Sequence, residues 1–469
     1  MGRVSDNRHV LTCCFSDQQA KNLLPHILEQ LEICESLLVK QLDGKRSSFP
    51  RFYFVSDRLL LEMISEGCNP LILDDTVHSI FEEIKSVTID EDNAELVTHL
   101  NAKRENAEET FELGDVVETQ REIEIFLVDL ASEVGRSLRN MVLDLQPDKH
   151  TLLQSIETFP LQVCIIHLQI KWTRDCQGAL ERASDKNVML YTAKRQESAL
   201  SDVLSLLSDE YLKKRFTVST LIVLQMNQRD RFDGLVRSKA TSPLDFDFQK
   251  LLRYSWRDET MDVTVSVADV NTDYGFEYLG LKDPIVATPQ SDRCYLAVAS
   301  ALGSGMGSLI MGPRAAGKSE SIKGLGKAMG RFVFSCHGTE LMEIVFIENI
   351  LKGIAASGAW ACINEFTGID APVLSACAQQ IWVILHAIRE RRTEFVFSDG
   401  TEVSLDNKCG ILVTSDEVCF PTMLQGASFN MVFWSRKTSF FARNTDFSWI
   451  VVAASCWDGQ KTPLGSESR

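Results

Sequence analysis

The sequence of 469 residues has no excess of positive charge, no paired metal-binding motif and no long apolar run. Its formal net charge of −17 argues against general binding to nucleic acid or to an anionic membrane surface. None of its 13 cysteines lies in a Cys-x-x-Cys pair that is matched by a His-x-x-x-His pair, so a zinc site is not expected. No apolar run reaches about 18 residues, which predicts that no segment spans a membrane.

A secretory signal and an internal repeat of fixed period are also missing. The irregularly spaced cysteines are therefore interpreted as reduced thiols of a cytosolic protein. The apolar fraction is 45%, which is ordinary for globular proteins and permits large cores. A chain of this length is expected to form roughly two to four domains.

Helical periodicity dominates the first 260 residues. Apolar residues recur at helical spacing in the segments 22–38, 77–84, 123–145, 152–180, 200–212 and 217–228. Residues 52–55 form a short aromatic, β-prone run, and the acidic stretch 90–122 fits a polar hairpin or an exposed loop. This part of the chain is therefore predicted to be mostly α-helical.

The pattern changes after Trp256. Residues 263–270 alternate as in a strand, and from residue 274 onward strands and helices alternate. The predicted strands are one ending at Met311 and those at 332–335, 359–366 and 409–414, with helices at 340–356 and 371–392 and a hairpin at 395–405. Such alternation predicts a parallel sheet with helices on both faces. Residues 417–469 lose this pattern, and their apolar segments 431–434 and 449–454 have no clear partners.

Gly312-Pro313-Arg314-Ala315-Ala316-Gly317-Lys318-Ser319 is a complete Walker A phosphate loop between a predicted strand and a predicted helix. Its backbone N–H groups can surround phosphate oxygens, and the helix N-terminus adds partial positive charge. Lys318 can reach the β- and γ-phosphates, while the Ser319 hydroxyl can hold Mg²⁺. The predicted phosphate-binding residues are Gly312, Pro313, Arg314, Ala315, Ala316, Gly317, Lys318, Ser319 and Glu320. A Gly-rich turn with an incidental lysine is the structural alternative.

Phosphate-loop ATPases also need carboxylates at the end of a neighbouring strand. Glu365 ends the run 360–364 and is the candidate base that polarises the attacking water. Ser319 and Asn364 are the candidate Mg²⁺ ligands. Asn364 stands where a metal-orienting Asp is expected, and an amide lacks the negative charge that holds Mg²⁺, which argues against hydrolysis. Asp416 follows the fourth strand and is the candidate sensor of the nucleotide, in degenerate form because its negative charge would repel a γ-phosphate. The structural alternative for residues 360–365 is a core strand that ends in two polar residues. The structural alternative for Asp416 is a solvated loop residue.

At these residues the sequence resembles the dynein heavy chains. The similarity to the first AAA module of that family lies in Gly358-Ala359-Trp360-Ala361-Cys362, Glu365-Phe366, Ala378-Gln379-Gln380-Ile381, Val286-Ala287-Thr288-Pro289 and Asp292-Arg293-Cys294-Tyr295. Ala361-Cys362 after Gly-Ala-Trp is closer to axonemal than to cytoplasmic members. Upstream, residues 49–56 (Phe-Pro-Arg-Phe-Tyr-Phe-Val-Ser) resemble the linker signature of the family, and 160–172, 227–230 and 251–256 follow in family order. The resemblance covers residues 24–414.

The resemblance implies an α+β chain in three parts. Residues 1–260 would be the C-terminal part of the mostly helical linker, 270–416 the large α/β subdomain of the first AAA+ module, and 417–469 a divergent tail. It further implies that adenine stacks near residues 285–289, which include Ile285, Val286 and Pro289. The resemblance implies a truncated and degenerate dynein heavy chain. The lid subdomain, the later modules and the microtubule-binding tip of the family would not be part of it.

The implied function is ATP binding, with Mg²⁺ as cofactor, in a motor that drives ATP-dependent movement along microtubules. The implied partners are intermediate and light intermediate chains, with microtubules reached only through other parts of the motor, and neither nucleic acid nor membrane. The implied location is cytoplasmic and cytoskeletal, in the ciliary axoneme. Arg314, Ala315, Asn364 and Asp416 depart from the family pattern. The alternatives are therefore a nucleotide-binding module that does not hydrolyse ATP and a truncated isoform without motor activity.

Overall fold

The computed structural model describes residues 18–89, 96–104, 107–119, 121–145, 152–183, 186–205, 214–280, 287–416, 429–433 and 451–453. Its α-helices are α1 Gln18–Ser48, α2 Asp57–Glu66, α3 Pro70–Ile80, α4 Ile123–Asp144, α5 Leu152–Thr158, α6 Leu161–Glu181, α7 Lys186–Ser205, α8 Arg215–Ser238, α9 Phe246–Gln249, α10 Pro289–Gly303, α11 Lys318–Ala328, α12 Ile344–Ser357 and α13 Ala371–Arg389. Helices dominate the first 250 residues and an α/β domain follows, which confirms the predicted α+β class.

Within the described residues the strands fall into four sheets. They are β1 Ser86–Ile89, β2 Leu96–Arg104, β3 Ala107–Glu118, β4 Arg253–Arg257, β5 Asp262–Val267, β6 Val270–Asp273, β7 Gly307–Met311, β8 Val333–His337, β9 Trp360–Asn364, β10 Glu394–Val396, β11 Glu402–Ser404, β12 Gly410–Ser415, β13 Phe429–Phe433 and β14 Val451–Ala453. The predicted strands and helices of the α/β domain and the hairpin β10–β11 all form, with boundaries shifted by a few residues.

Helix α1 forms where helical periodicity predicts it, but its apolar face is not buried. Leu24, Leu28 and Leu31 are 64%, 58% and 60% exposed. The amphipathic pattern therefore predicted the helix correctly, and the structure shows that the apolar face at these residues is exposed. Of the predicted helix 200–212, residues up to 205 belong to α7, and 206–213 lie outside the described residues.

The aromatic run at 52–55 is not a strand. Pro50–Phe54 form one turn of 3₁₀-helix in which Pro50 occupies the first position and Phe52 is fully buried. The fixed φ of proline favours a helical turn, and burial of the Phe52 ring outweighs the local β propensity. The turn packs on α12, and the Phe54 ring stacks on Phe334 with the ring centroids 4.5 Å apart.

The acidic segment after residue 90 contributes to a three-stranded antiparallel sheet in the order β1-β2-β3. This confirms the hairpin alternative of the sequence prediction. The sheet packs on α4 and is joined to it by polar contacts: the Gly114 N–H donates to Ser137 Oγ at 2.8 Å and the Asp115 N–H donates to Glu133 Oε1 at 3.0 Å.

A second antiparallel sheet, β4-β5-β6, connects the helical region to the α/β domain. The Tyr254 hydroxyl of β4 donates to the Ala328 carbonyl at the end of α11, at 2.7 Å. One continuous hydrophobic core runs from Phe52 through Leu130 and Val265 to Leu325. The helical region and the α/β domain are therefore packed together and share buried apolar surface.

The α/β domain is built on a six-stranded parallel sheet in the order β14-β13-β7-β12-β9-β8. The expectation that the apolar segments of the tail lack partners is wrong for 429–433 and 451–453. β13 pairs with β7 from Phe429 opposite Gly307 to Phe433 opposite Met311, and β14 pairs with β13. An apolar segment with no local partner can still complete a sheet through a long-range pairing.

Helix α13 covers one face of this sheet. Among the described residues, it is the one helix that is long and apolar enough to cross a membrane by length and composition alone. Its Cys377, Ile381 and Ile384 lie in the hydrophobic core that includes Ile363 and Val413 of the sheet. Buried core helices of soluble proteins have the same composition, so this observation is weak evidence for a membrane span.

Candidate nucleotide-binding site

The phosphate loop connects the buried strand β7 to the N-terminus of α11. The backbone changes direction through two residues in the left-handed region, Ala315 with φ 55° and Gly317 with φ 89°. Glycine adopts such angles without steric cost, whereas alanine pays roughly 1–2 kcal/mol. The strand–loop–helix arrangement predicted from the sequence is confirmed, and Ala315 holds its strained angle within it.

Lys318 is the first residue of α11 and is 7% exposed. Its ammonium group donates to the carbonyl oxygens of Gly312 at 2.8 Å and Pro313 at 2.9 Å, and to Asp416 Oδ1 at 2.6 Å. An ammonium has three N–H donors, and these three acceptors match that number. The lysine is therefore held under the loop with its charge directed to the end of β12.

Asp416 bridges two cations. Its Oδ2 accepts from Arg314 Nε at 2.6 Å, while its Oδ1 accepts from Lys318. Burial acts to raise the pKa of Asp416, but the hydrogen bonds and charges of Lys318 and Arg314 outweigh it and lower the pKa below its ordinary value. The carboxylate is therefore ionised beside the phosphate loop. Its negative charge is the one that the sequence predicts to repel a γ-phosphate.

Asn364 lies at the end of β9, directly across from Ser319. Ser319 Oγ donates a short hydrogen bond to Asn364 Oδ1, and Asn364 Nδ2 donates to Ser335 Oγ at 3.0 Å. Thr414 Oγ1 also lies 3.4 Å from Asn364 Oδ1. Neither Ser335 nor Thr414 is among the residues predicted for the site, although each ends a predicted strand, 332–335 and 409–414 respectively.

The donor atoms of Ser319 and Asn364 fit Mg²⁺ in kind, because both are hard oxygen atoms close to the phosphate loop. Both groups are neutral, so the protein supplies no negative charge through them. Ser319 and Asn364 would hold a magnesium ion that arrives on the phosphates of a nucleotide, whose charge it would neutralise.

Glu365 follows Asn364 in a left-handed conformation with φ 50°. Its N–H donates to Thr414 Oγ1 at 3.4 Å, and its half-exposed carboxylate lies 4.0 Å from Arg314 Nε. The carboxylate borders the same cavity as the phosphate loop, which is where a base for water activation must lie. Its catalytic role stays a prediction.

These residues border an open cavity of about 210 Å³. It is lined by Arg314, Ala315, Ala316, Gly317, Lys318, Ser319, Glu320, His337, Asn364, Glu365, Thr414 and Asp416. Gly312 and Pro313 contribute their carbonyl groups to Lys318. Ile285 and Val286 lie outside the described residues, and Pro289 borders a different cavity between α8 and α10. Of the three residues predicted to contact adenine, only Pro289 is described, and it does not line the phosphate-loop cavity.

In this parallel sheet β7 lies between β13 and β12, the phosphate loop follows β7, and polar residues follow β9 and β12. This arrangement defines a phosphate-loop nucleotide-binding domain of the AAA type. Residues 274–419 match the family model described as the hydrolytic ATP binding site of the dynein motor region. Residues 1–144 match the model described as dynein heavy chain, N-terminal region 2. The chain belongs to the dynein heavy chain family.

Similar proteins point the same way. The chain is 35% identical over 420 residues to human dynein axonemal heavy chain 8, and the alignment covers 88% of the chain and 9% of that relative. It is 34% identical to rat dynein axonemal heavy chain 5, covering 88% of the chain and 12% of the relative, and 33% identical to the Chlamydomonas reinhardtii flagellar outer arm dynein gamma chain, covering 87% and 9%. It therefore spans about a tenth of the length of these relatives.

Proposed function

We propose that this chain binds ATP in the first AAA module of a dynein heavy chain and contributes to ATP-dependent, microtubule-based movement. The observation that carries the proposal is the position of Lys318. Its ammonium lies at the N-terminus of α11, beside a cavity lined by the phosphate loop. A cation and a helix N-terminus that converge on one cavity attract the phosphates of a nucleotide.

Most of the predicted site residues have a defined role in this proposal. The loop from Gly312 to Ser319 would surround the phosphates, and Mg²⁺ would be held by Ser319 and Asn364. Glu365 would polarise the attacking water. Adenine would lie near Ile285, Val286 and Pro289, an assignment that rests on the family resemblance alone.

The relatives, which are axonemal or flagellar dynein chains, support a proposal for the assembly and the location. We propose that this chain acts within a dynein complex of the ciliary axoneme, with intermediate and light intermediate chains as partners. Contact with microtubules would be made by other parts of the motor. We propose no contact with nucleic acid or membrane.

A second candidate function is nucleotide binding without hydrolysis. The observation that favours it is the amide of Asn364, which replaces a carboxylate at the end of β9. The change removes the negative charge that orients Mg²⁺ and its waters in phosphate-loop ATPases. Loss of such a supporting group commonly lowers metal affinity or activity roughly 10- to 100-fold.

The first test is calorimetric titration of the 469-residue chain with Mg·ATP. Lys318→Ala should abolish binding, whereas Lys323→Ala should leave it nearly unchanged. Lys323 is a matched control because it lies on the same helix, pairs with Glu320 at 3.2 Å and does not line the cavity. Far-ultraviolet circular dichroism would establish that both variants are folded.

Two outcomes decide between the candidates. Binding that depends on Lys318 together with ATP turnover would favour the motor-derived ATPase. The same binding without turnover would favour the non-hydrolysing module. A folded wild-type chain that binds no nucleotide would refute the proposed function in both forms.

A further inference from the structure

Asp416 occupies contacts that a nucleotide phosphate would need. Its two carboxylate oxygens lie 2.6 Å from Lys318 Nζ and 2.6 Å from Arg314 Nε. The remaining contacts of Lys318 Nζ are the carbonyl oxygens of Gly312 and Pro313, at 2.8 and 2.9 Å. With three acceptors for its three N–H groups, Lys318 can bind another anion only if one of them gives way.

The backbone keeps Asp416 close to the loop. Strand β12 is paired with β7 up to Ser415 opposite Met311, and the Gly312 N–H donates to the Ser415 carbonyl at 3.2 Å. Asp416 therefore follows a strand that is bonded to the start of the phosphate loop. Its side chain can rotate away from Lys318, but the residue stays within a few ångströms of the cavity.

The loss of nucleotide affinity that the Asp416 carboxylate causes depends on the number of phosphates in the nucleotide. In a phosphate loop the lysine contacts the β- and γ-phosphates, while the loop amides and the helix N-terminus surround the β-phosphate. The γ-phosphate would have to share Lys318 with Asp416 and would meet its negative charge at contact distance. A diphosphate places no third phosphate there and retains the contacts with the loop.

We propose that Asp416 makes this site select nucleoside diphosphates over nucleoside triphosphates by competing with the γ-phosphate for Lys318 and Arg314. The inference rests on the proposed function, because it requires that the loop binds a nucleotide. Arg314 has a defined role in this proposal. It holds Asp416 when the γ-phosphate is missing and becomes a ligand of the γ-phosphate when Asp416 is neutralised.

The experiment compares Mg·ADP and Mg·ATP by calorimetry on the 469-residue chain. The wild-type chain should bind ADP roughly 10-fold more tightly than ATP, a conservative figure for two like charges in contact at a partly exposed site. Asp416→Asn keeps the size of the side chain and removes its charge. It should raise the affinity for ATP about 10-fold and change the affinity for ADP much less.

Two further variants test the assignment. Glu402→Gln removes an exposed carboxylate of the hairpin β10–β11 that does not line the cavity, and it should leave the ratio of the two affinities unchanged. Adding Arg314→Ala to Asp416→Asn should lower the affinity for ATP again and spare ADP. Binding of ADP also reports that each variant is folded.

The measurements distinguish a failure of the selectivity proposal from a failure of the proposed function. If the wild-type chain binds both nucleotides equally and Asp416→Asn does not move the ratio, the selectivity proposal is overturned and nucleotide binding stands. A chain that binds ATP more tightly than ADP also overturns it. If a folded wild-type chain binds neither nucleotide, the proposed function itself fails.

Discussion

The packing of the 3₁₀ turn Pro50–Phe54 on α12 depends on the absence of a side chain at Gly353. A Cβ atom at this position would lie 2.7 Å from Tyr53 Cβ and 2.9 Å from Phe54 Cε1. Both distances are shorter than contacts between carbon atoms allow. Because Gly353 is buried in the middle of α12, neither element can move away without losing other contacts.

Gly353→Ala sets two effects against each other. Alanine is a better helix former than glycine by about 1 kcal/mol. Overpacking of a filled core costs typically about 1–3 kcal/mol, and contact with a Cβ atom on another element belongs at the upper end. We therefore expect Gly353→Ala to lower the free energy of unfolding by about 1–2 kcal/mol.

Gly234→Ala is the matched control. Gly234 also lies within a helix, α8, but nothing lies within 4 Å of the Cβ that would be added. This variant should raise the free energy of unfolding by roughly 0.5–1 kcal/mol. Urea unfolding followed by circular dichroism measures both variants in the same chain.

A double-mutant cycle identifies the cause. Phe54→Ala removes the ring atoms at 2.9 and 3.2 Å, so Gly353→Ala should cost less in that background, with a coupling of about 0.5 kcal/mol or more. Equal or greater stability of Gly353→Ala relative to wild type would refute the reasoning. So would a cost that Phe54→Ala leaves unchanged.

Two other predictions concern single side chains. Arg51 makes a bidentate ion pair with Glu277, at 2.7 and 2.6 Å, and its guanidinium lies 5.0 Å from the Phe81 ring and 5.1 Å from the Phe332 ring. Arg51→Lys keeps the charge but loses the forked geometry, so it should lower the free energy of unfolding by about 1–2 kcal/mol in the same urea assay; an unchanged midpoint would contradict this. Asn364→Asp should strengthen the dependence of ATP binding on Mg²⁺ by about 10- to 100-fold in calorimetry at varied Mg²⁺, and an identical Mg²⁺ dependence would show that Asn364 does not face the ion.

Local patterns in the sequence predicted the elements of the α/β domain well. The buried run before Gly312, the loop itself and the run 360–364 each have a period or a spacing that determines their conformation within a few residues. The same patterns placed Ser319 at the start of the helix after the phosphate loop, and Asn364, Glu365 and Asp416 at the ends of neighbouring strands. They failed at residues 52–55, where a β-prone run became a 3₁₀ turn because the Phe52 ring is buried and Phe54 packs against α12.

The sequence by itself determined the class of the chain, since a phosphate loop between a strand and a helix is a local feature and the family signatures follow it in order. Only the tertiary structure decided which charges meet. Arg314 and Asp416 are 102 residues apart and no local pattern relates them, yet the pairing of β7 with β12 brings them into contact. It likewise decided that β13 completes the sheet and that the face of α1 stays exposed. Burial and pairing of this kind depend on contacts between distant segments, which hydrophobic periodicity does not encode.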